Sequence, residues 1–224
     1  VAQTEVLLEV VSPAVAAPPP PLRSEIYSLT RLAQDDDFKL LGIDDTQQLE
    51  FTLRRDQVVT NAELDLVFTP SPALLPKLSH LRVYLNEELM GVVPIAEAEP
   101  GQQVSRSVAL DPRVMMTFNR IRLEFVGHYT DICEDLAHSS LWLDISKKTQ
   151  VKINQQGLAV KNELAFFPEP FFDAGDMQGQ TLPFVFAGSP SSLQMQAGAI
   201  LSSYFGTQAQ WREIDFPVFY NRLP

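Results

Sequence analysis

The sequence predicts a mainly β protein, with a jelly-roll β-sandwich over residues 23–150 followed by the opening of an α/β domain over 151–224. Three observations carry this. Apolar and polar residues alternate at period two between Arg23 and Ser146. The alternation stops after Lys147. Beyond it come an apolar run, a turn and a helical spacing, in the order of a strand–helix–strand unit.

Residues 1–22 read as a stiff linker, because SPAVAAPPPP (Ser12–Pro21) lacks backbone donors at its prolines and favours extended polyproline geometry. Five half-buried strands follow. Leu49, Phe51 and Leu53 alternate with Glu50, Thr52 and Arg54; Leu64, Leu66 and Phe68 flank Asp65; and Leu81, Val83 and Leu85 flank Arg82 and Tyr84. Ile121, Leu123 and Phe125 alternate with Arg122 and Glu124, and Leu141, Leu143 and Ile145 with Trp142 and Asp144. Ile26–Leu32, Met90–Ile95 and Val104–Leu110 are further strand candidates, and Asn86–Glu88 reads as a hairpin turn. Many short alternating strands with polar turns predict two antiparallel sheets packed face to face. Pro72–Leu78 is expected to form a turn or two of helix at a corner of the sandwich.

The segment KNELAFFPEPFFDAG has too many prolines and clustered phenylalanines for a regular element, and the domain junction is placed there. Leu182–Ala187 reads as a strand and Gly188–Pro190 as a turn. Leu193, Ala197, Ile200, Leu201 and Tyr204 mark a helix expected to stop near Gly206, and Ile214–Tyr220 a second strand. One such unit cannot bury both faces of a sheet, so the second domain is expected to be incomplete within these residues.

The composition narrows the partners. With 17 Lys plus Arg against 28 Asp plus Glu, the net charge of -11 repels nucleic-acid phosphates and anionic membrane surfaces, whereas a neutral polymer is indifferent to it. The single cysteine, Cys133, excludes an intramolecular disulfide and a multi-thiolate zinc site. Val1–Val11 lacks the pattern of a signal peptide and no apolar window is long enough to span a bilayer, so the residues present are expected to be soluble, as a processed secretory protein would be.

Three segments carry a resemblance that covers nearly the whole chain. They are SPALLPKLSHLRVYLNEELMG, NRIRLEFVGHYTDICEDLAHSSLWLDIS and LPFVFAGSPSSLQMQAGAILSSYFG. The second is the most specific, joining a strand, an acidic Cys-containing loop and a Trp-bearing strand. In these segments the chain resembles the periplasmic B subunit of bacterial cellulose synthase. The resemblance implies a carbohydrate-binding-module-like jelly roll followed by a flavodoxin-like domain without flavin. It also implies a non-catalytic accessory subunit that guides nascent β-1,4-glucan through the periplasm. The implied partners are the catalytic synthase subunit, which polymerises glucose from UDP-glucose, other copies of the same subunit, and nascent cellulose. The implied inner-membrane tether is a carboxy-terminal anchor outside these residues. The alternatives are a carbohydrate-binding module attached to an enzyme domain elsewhere, and a flavin-dependent or hydrolytic enzyme.

Trp142, Tyr129 and Tyr84 are the candidate carbohydrate or interface residues. Trp142 is out of phase with Leu141, Leu143 and Ile145, so its indole points outward and can stack on a pyranose ring or pack against a neighbouring domain or subunit. The loop His128–His138 gathers two histidines and three acids, but lacks both an HxxxH spacing and the EF-hand pattern, so no metal is expected. Cys133 has no orienting acid at a defined spacing and is read as an incidental thiol. Asp35–Asp37, Asp44 and Asp45 read as a solvated acidic run, not a glycosidase pair. Gly188–Ser192, between strand and helix, has the form of an anion site, yet helix capping explains the same serines and proline, and no cofactor is expected. Cyclic di-GMP, a label carried by this family, finds no RxxxR element here. Asp144 and Ser146 supply only a fragment of the partner DxSxxG pattern, so direct binding is not expected.

Overall fold

The structure, a computed structural model, describes residues 22–33, 38–95, 101–159 and 163–222. The expected proline-rich linker, apart from Leu22, and Asp35–Asp37 lie outside the described residues.

The spine of the sandwich is a fourteen-residue strand. In chain order the elements are β1 (Leu22–Ser28), α1 (Leu29–Leu32), β2 (Lys39–Leu41), β3 (Thr46–Thr52), β4 (Gln57–Pro70), β5 (His80–Leu85), β6 (Glu88–Pro94), β7 (Val104–Leu110), β8 (Phe118–Val126), β9 (Trp142–Ile145) and β10 (Gln150–Gly157). Strand β4 pairs with β7 along one edge and with β9 and β10 end to end along the other; β2 and β1 extend that side. Where β9 gives way to β10, the buried Thr149 hydroxyl completes the ladder. It accepts from the Val67 N–H at 2.9 Å and donates to the Val67 carbonyl at 3.1 Å. The second sheet runs β3-β8-β5-β6, all antiparallel.

The five alternating segments lie where the period placed them. Leu64, Leu66 and Phe68 face Leu49, Phe51, Leu81, Val83, Ile121, Leu123 and Phe125 in one continuous buried core. Their partners in alternation make the outer faces. The β5–β6 turn is Asn86-Glu87 with both φ positive (49° and 68°), a geometry that suits the twist of a two-residue hairpin.

Five expectations are corrected. Ile26–Leu32 is not one strand: β1 ends at Ser28 and the single turn α1 buries Leu29 and Leu32, which three-residue spacing puts on one side. Pro72–Leu78 forms successive turns, not a helix, with Leu74 N–H to Ser71 and Leu78 N–H to Leu75. The helix α2 (Ser192–Ala209) runs past Gly206, because Phe205 and Ala209, one turn apart, both bury against the Phe172 cluster. Ile214–Tyr220 is broken at Phe216-Pro217 into two strands. The boundary at residue 150 also falls ahead of β10, which is hydrogen-bonded on both edges through Gly157.

After the sandwich, β11 (Gln180–Thr181) pairs in parallel with β13 (Ile214–Asp215), and β12 (Phe184–Phe186) with β14 (Val218–Tyr220). The crossover between them is α2, opened by a capping box in which Ser191 Oγ accepts from Gln194 N–H and the Gln194 side chain accepts from Ser191 N–H. This is the parallel βαβ order that the sequence predicted.

A buried ion network clamps this segment to the sandwich. Asp176, 2 % exposed, accepts from Arg54 at 3.1 Å and from Arg23 at 3.2 Å, while Asp56 completes Arg54. Asp173 accepts from the Arg55 N–H, and Arg212 donates to the Asp173 and Asp176 carbonyls with its guanidinium over the Phe172 ring. Gly175 allows the close approach: a Cβ there would lie 2.4 Å from the Leu53 carbonyl oxygen. Burial pushes the Asp176 carboxyl up, but the Gln178 N–H, Arg23 and Arg54 outweigh it and hold it below the ordinary range. Burial raises neighbouring Glu25, which Arg23 only partly offsets.

These shifts act with opposite signs. Glu25 carries a penalty at neutral pH that is relieved as the pH falls into its raised range, whereas the Asp176 contribution persists until the pH drops below about 3.9, its unfolded value. Asp176→Asn is expected to cost about 3 kcal/mol at neutral pH, because Arg54 loses a buried partner but keeps Asp56. Urea titrations at pH 7 and pH 3 check this: the variant's deficit is large at pH 7 and shrinks at pH 3.

Candidate functional site

One end of the sandwich is built by the loop between β8 and β9. Gly127 starts it, at a position where a Cβ would stand 2.5 Å from the Phe125 ring. His128 is then tied to Ser79 in both directions, N–H to Oγ at 3.0 Å and carbonyl from Oγ–H at 3.1 Å. Glu134 clasps the loop: its carboxylate meets His128 Nδ1 at 2.8 Å and accepts from the Tyr129 N–H at 2.8 Å. Burial raises the Glu134 pKa, but the His128 ring and the Tyr129 N–H outweigh it and the net shift is downward. Glu134, Asp135 and both histidines are therefore spent on folding the loop. Among the described residues no cluster of three or more His, Cys, Asp or Glu is arranged to hold a metal.

The clasp sets the aromatic candidates. Tyr129 stacks on His138 with centroids 4.4 Å apart and planes at 19°, and its hydroxyl accepts from the Asp135 N–H. Trp142, half-buried on the outer face of β9, has Lys39 Nζ 5.0 Å from its ring centroid. Beside them opens a groove of about 560 Å³ between Leu41–Asp44 and Leu136–Leu141. Backbone pairing brings these parts together: Trp142 is the register partner of Leu41, and the Leu141 N–H donates to the His138 carbonyl.

Tyr84 is not part of that group. It lies on the outer face of the second sheet, with the Arg122 guanidinium 3.9 Å above its ring. Rows of outward side chains surround it: Glu50 opposite Arg120, Gln48 opposite Arg122, and Arg82 opposite Glu124. Arg120–Glu50 and Arg82–Glu124 are ion pairs at 2.9 and 2.8 Å. Two exposed aromatics escaped the sequence reading, Phe118 and Trp211, which line a common cleft where the sandwich meets the βαβ segment. Phe118 is the first residue of a strand whose inward positions drew attention. Trp211 follows a helix in a polar stretch without alternation. That it is one of only two tryptophans was the available signal.

The chemistry on offer is recognition: outward aromatic rings, paired charges and hydrogen-bonding edges on a rigid two-sheet frame. This is a carbohydrate-binding-type β-sandwich fold, here joined to a parallel βαβ segment. Residues 23–157 match the family described as "Cellulose synthase BcsB, first CBM domain", and residues 163–224 match "Cellulose synthase BcsB, first FD domain". The chain belongs to the BcsB family of cellulose synthase subunits. It is 49% identical over 185 residues to the "Cyclic di-GMP-binding protein" of Escherichia coli strain K12, covering 83% of this chain and 24% of that protein. To the protein of that name from Pseudomonas fluorescens strain SBW25 it is 37% identical over 220 residues, 97% of this chain and 29% of the relative. The chain thus spans about a quarter of the length of the curated relatives it matches. A xylan-binding module, CBM15, overlays at a TM-score of 0.39 and 10% identity, over 58% of this chain and 97% of the module.

Glu134→Gln is expected to loosen the loop while leaving the sandwich core intact. The checks are faster proteolytic nicking between residues 128 and 141, and a melting transition within about 1 kcal/mol of the parent.

Proposed function

We propose that this chain is the amino-terminal portion of a non-catalytic accessory subunit that scaffolds a membrane-bound cellulose synthase and guides nascent β-1,4-glucan across the periplasm. The observation that carries the reading is the coincidence of two things in one chain. BcsB-family matches span both the sandwich and the βαβ segment, and the surfaces carry outward aromatics with charges already paired.

A glucan is neutral, with apolar pyranose faces and hydroxyl-bearing edges, so it needs rings to lie on and side-chain amides and carboxylates at its rim. A net charge of -11 does not oppose such a polymer, whereas it opposes an anionic one. In this reading Trp142 and Tyr129 mark one saccharide- or partner-facing end, the catalytic synthase subunit is the principal partner, and neighbouring copies of the subunit pack beside it. The tether to the inner membrane belongs to parts of the full-length protein outside these residues. No helix among the described residues is long and apolar enough to cross a membrane. Cyclic di-GMP is assigned to other parts of the assembly, since a dianionic nucleotide meets an acidic field and no RxxxR element here.

Affinity purification of the full-length protein from cellulose-producing cells is expected to bring down the membrane glucosyltransferase that uses UDP-glucose. Its absence from a preparation that still makes cellulose would contradict the reading. Calorimetry of cyclic di-GMP against the 224-residue chain is expected to show no binding at micromolar concentrations.

A further inference from the structure

The cleft between the sandwich and the βαβ segment, about 450 Å³, has a lining that the ion network beneath it does not explain. The network ties down the cleft's floor through Asp176 and Arg212. Its walls carry Trp211, 67% exposed, and Phe118, 50% exposed. Both rings are held by well-fixed backbone. Phe118 precedes Asn119, which is fully buried; Asn119 accepts from the Met116 N–H at 2.8 Å and from the Asn86 side chain at 3.0 Å. Trp211 follows Gln210, which ends α2 with a φ of 55° in a non-glycine residue and turns the chain toward the sandwich. Exposed rings on rigid backbone offer area to a ligand with little ordering entropy left to lose.

The polar lining points to the kind of ligand. The carboxamides of Gln208 and Gln210 line the cleft and hydrogen-bond to no other described residue, so donors and acceptors are open at its edge. Glu50 pairs with Arg120 at 2.9 Å and Asp176 with Arg54 and Arg23, while the Arg212 guanidinium donates to backbone carbonyls with Asp173 and Asp176 nearby. A neutral ligand with an apolar face and hydroxyl edges finds rings and open amides there. The cleft also has a way out. Phe118 is the register partner of Thr52, and two residues on lies the Glu50–Arg120 pair, then Gln48, Arg122 and Tyr84, all on the outer face of the second sheet.

We propose that this junction cleft is a saccharide subsite, with Trp211 as the stacking platform, Phe118 as the opposing wall and Gln208 and Gln210 as hydrogen-bonding edges. It receives a β-linked glucan segment that continues over the outer face of the second sheet toward Tyr84. The proposal rests on the glucan-guiding reading and gives it a binding site distinct from the Trp142 end.

The chain's two tryptophans, Trp142 and Trp211, make the test selective. In Trp142→Phe protein, cellohexaose is expected to change Trp211 emission saturably. By calorimetry, Trp211→Ala is expected to weaken cellohexaose binding about tenfold, while Trp211→Phe, which keeps a ring, retains most of it. Should Trp211→Ala fail to fold, the emission titration and the Trp211→Phe variant carry the test. Unchanged affinity in Trp211→Ala, or silent Trp211 emission at saturating cellohexaose, overturns the cleft. Absence of any cellohexaose binding also overturns it. Each of those outcomes leaves the accessory-subunit reading to co-purification, which fails or holds independently.

Discussion

The structure depends on the burial of one face of β4 against the second sheet. This strand is the only described element paired along both edges by three others, and its inward residues Leu64, Leu66 and Phe68 are all fully buried. At about 25 cal/mol per Å² of apolar surface removed from water, each such side chain contributes roughly 1.5–3 kcal/mol, so this row and its counterparts on β5 and β8 supply most of the driving force for the sandwich. Because the side-chain period is two, the same row fixes what faces outward. A slip of one residue in β4 would bury Glu63 and Asp65 and expose the leucines. The functional surfaces are therefore the complement of the core.

The second constraint is electrostatic. Among the described residues the βαβ segment has one small buried apolar cluster, Phe172, Phe205 and Ala209. Its place against the sandwich is fixed instead by the Arg54–Asp176–Arg23 network and by the backbone contacts around Gly175. Such a network contributes modest net stability but strong geometric specificity, since each carboxylate accepts from defined donors. Asp176, a member of that network, also lines the junction cleft, so docking and cleft shape are linked.

The sandwich was legible in the sequence because alternation reports burial directly. The Leu49, Leu64, Leu81, Ile121 and Leu141 segments lie in the core as their period requires, and the Asn86 turn closes a hairpin. What escaped was set by tertiary contact. Leu29 and Leu32 curl into a helical turn, and Gly206 does not stop α2 because residues on either side of it are buried. Strand β10 lacked a signal, since Lys152, Asn154 and Gln156 alternate with Val151, Ile153 and a buried Gln155 that reads as polar. Among the site residues, the outward phase of Trp142 could be read from its neighbours. The pairing of Tyr129 with His138, the Arg122 cap on Tyr84 and the meeting of Phe118 with Trp211 join residues from different elements, which no local pattern encodes.

The central claim is that this frame contacts a glucan without making or breaking bonds. The most direct measurement places a photo-crosslinking amino acid at position 211 or 142 of the full-length subunit in membranes actively polymerising UDP-glucose. The account predicts a polysaccharide adduct that forms only during synthesis and is removed by an endo-β-1,4-glucanase. Crosslinks to protein alone at both positions, with polymer production undiminished, would contradict it.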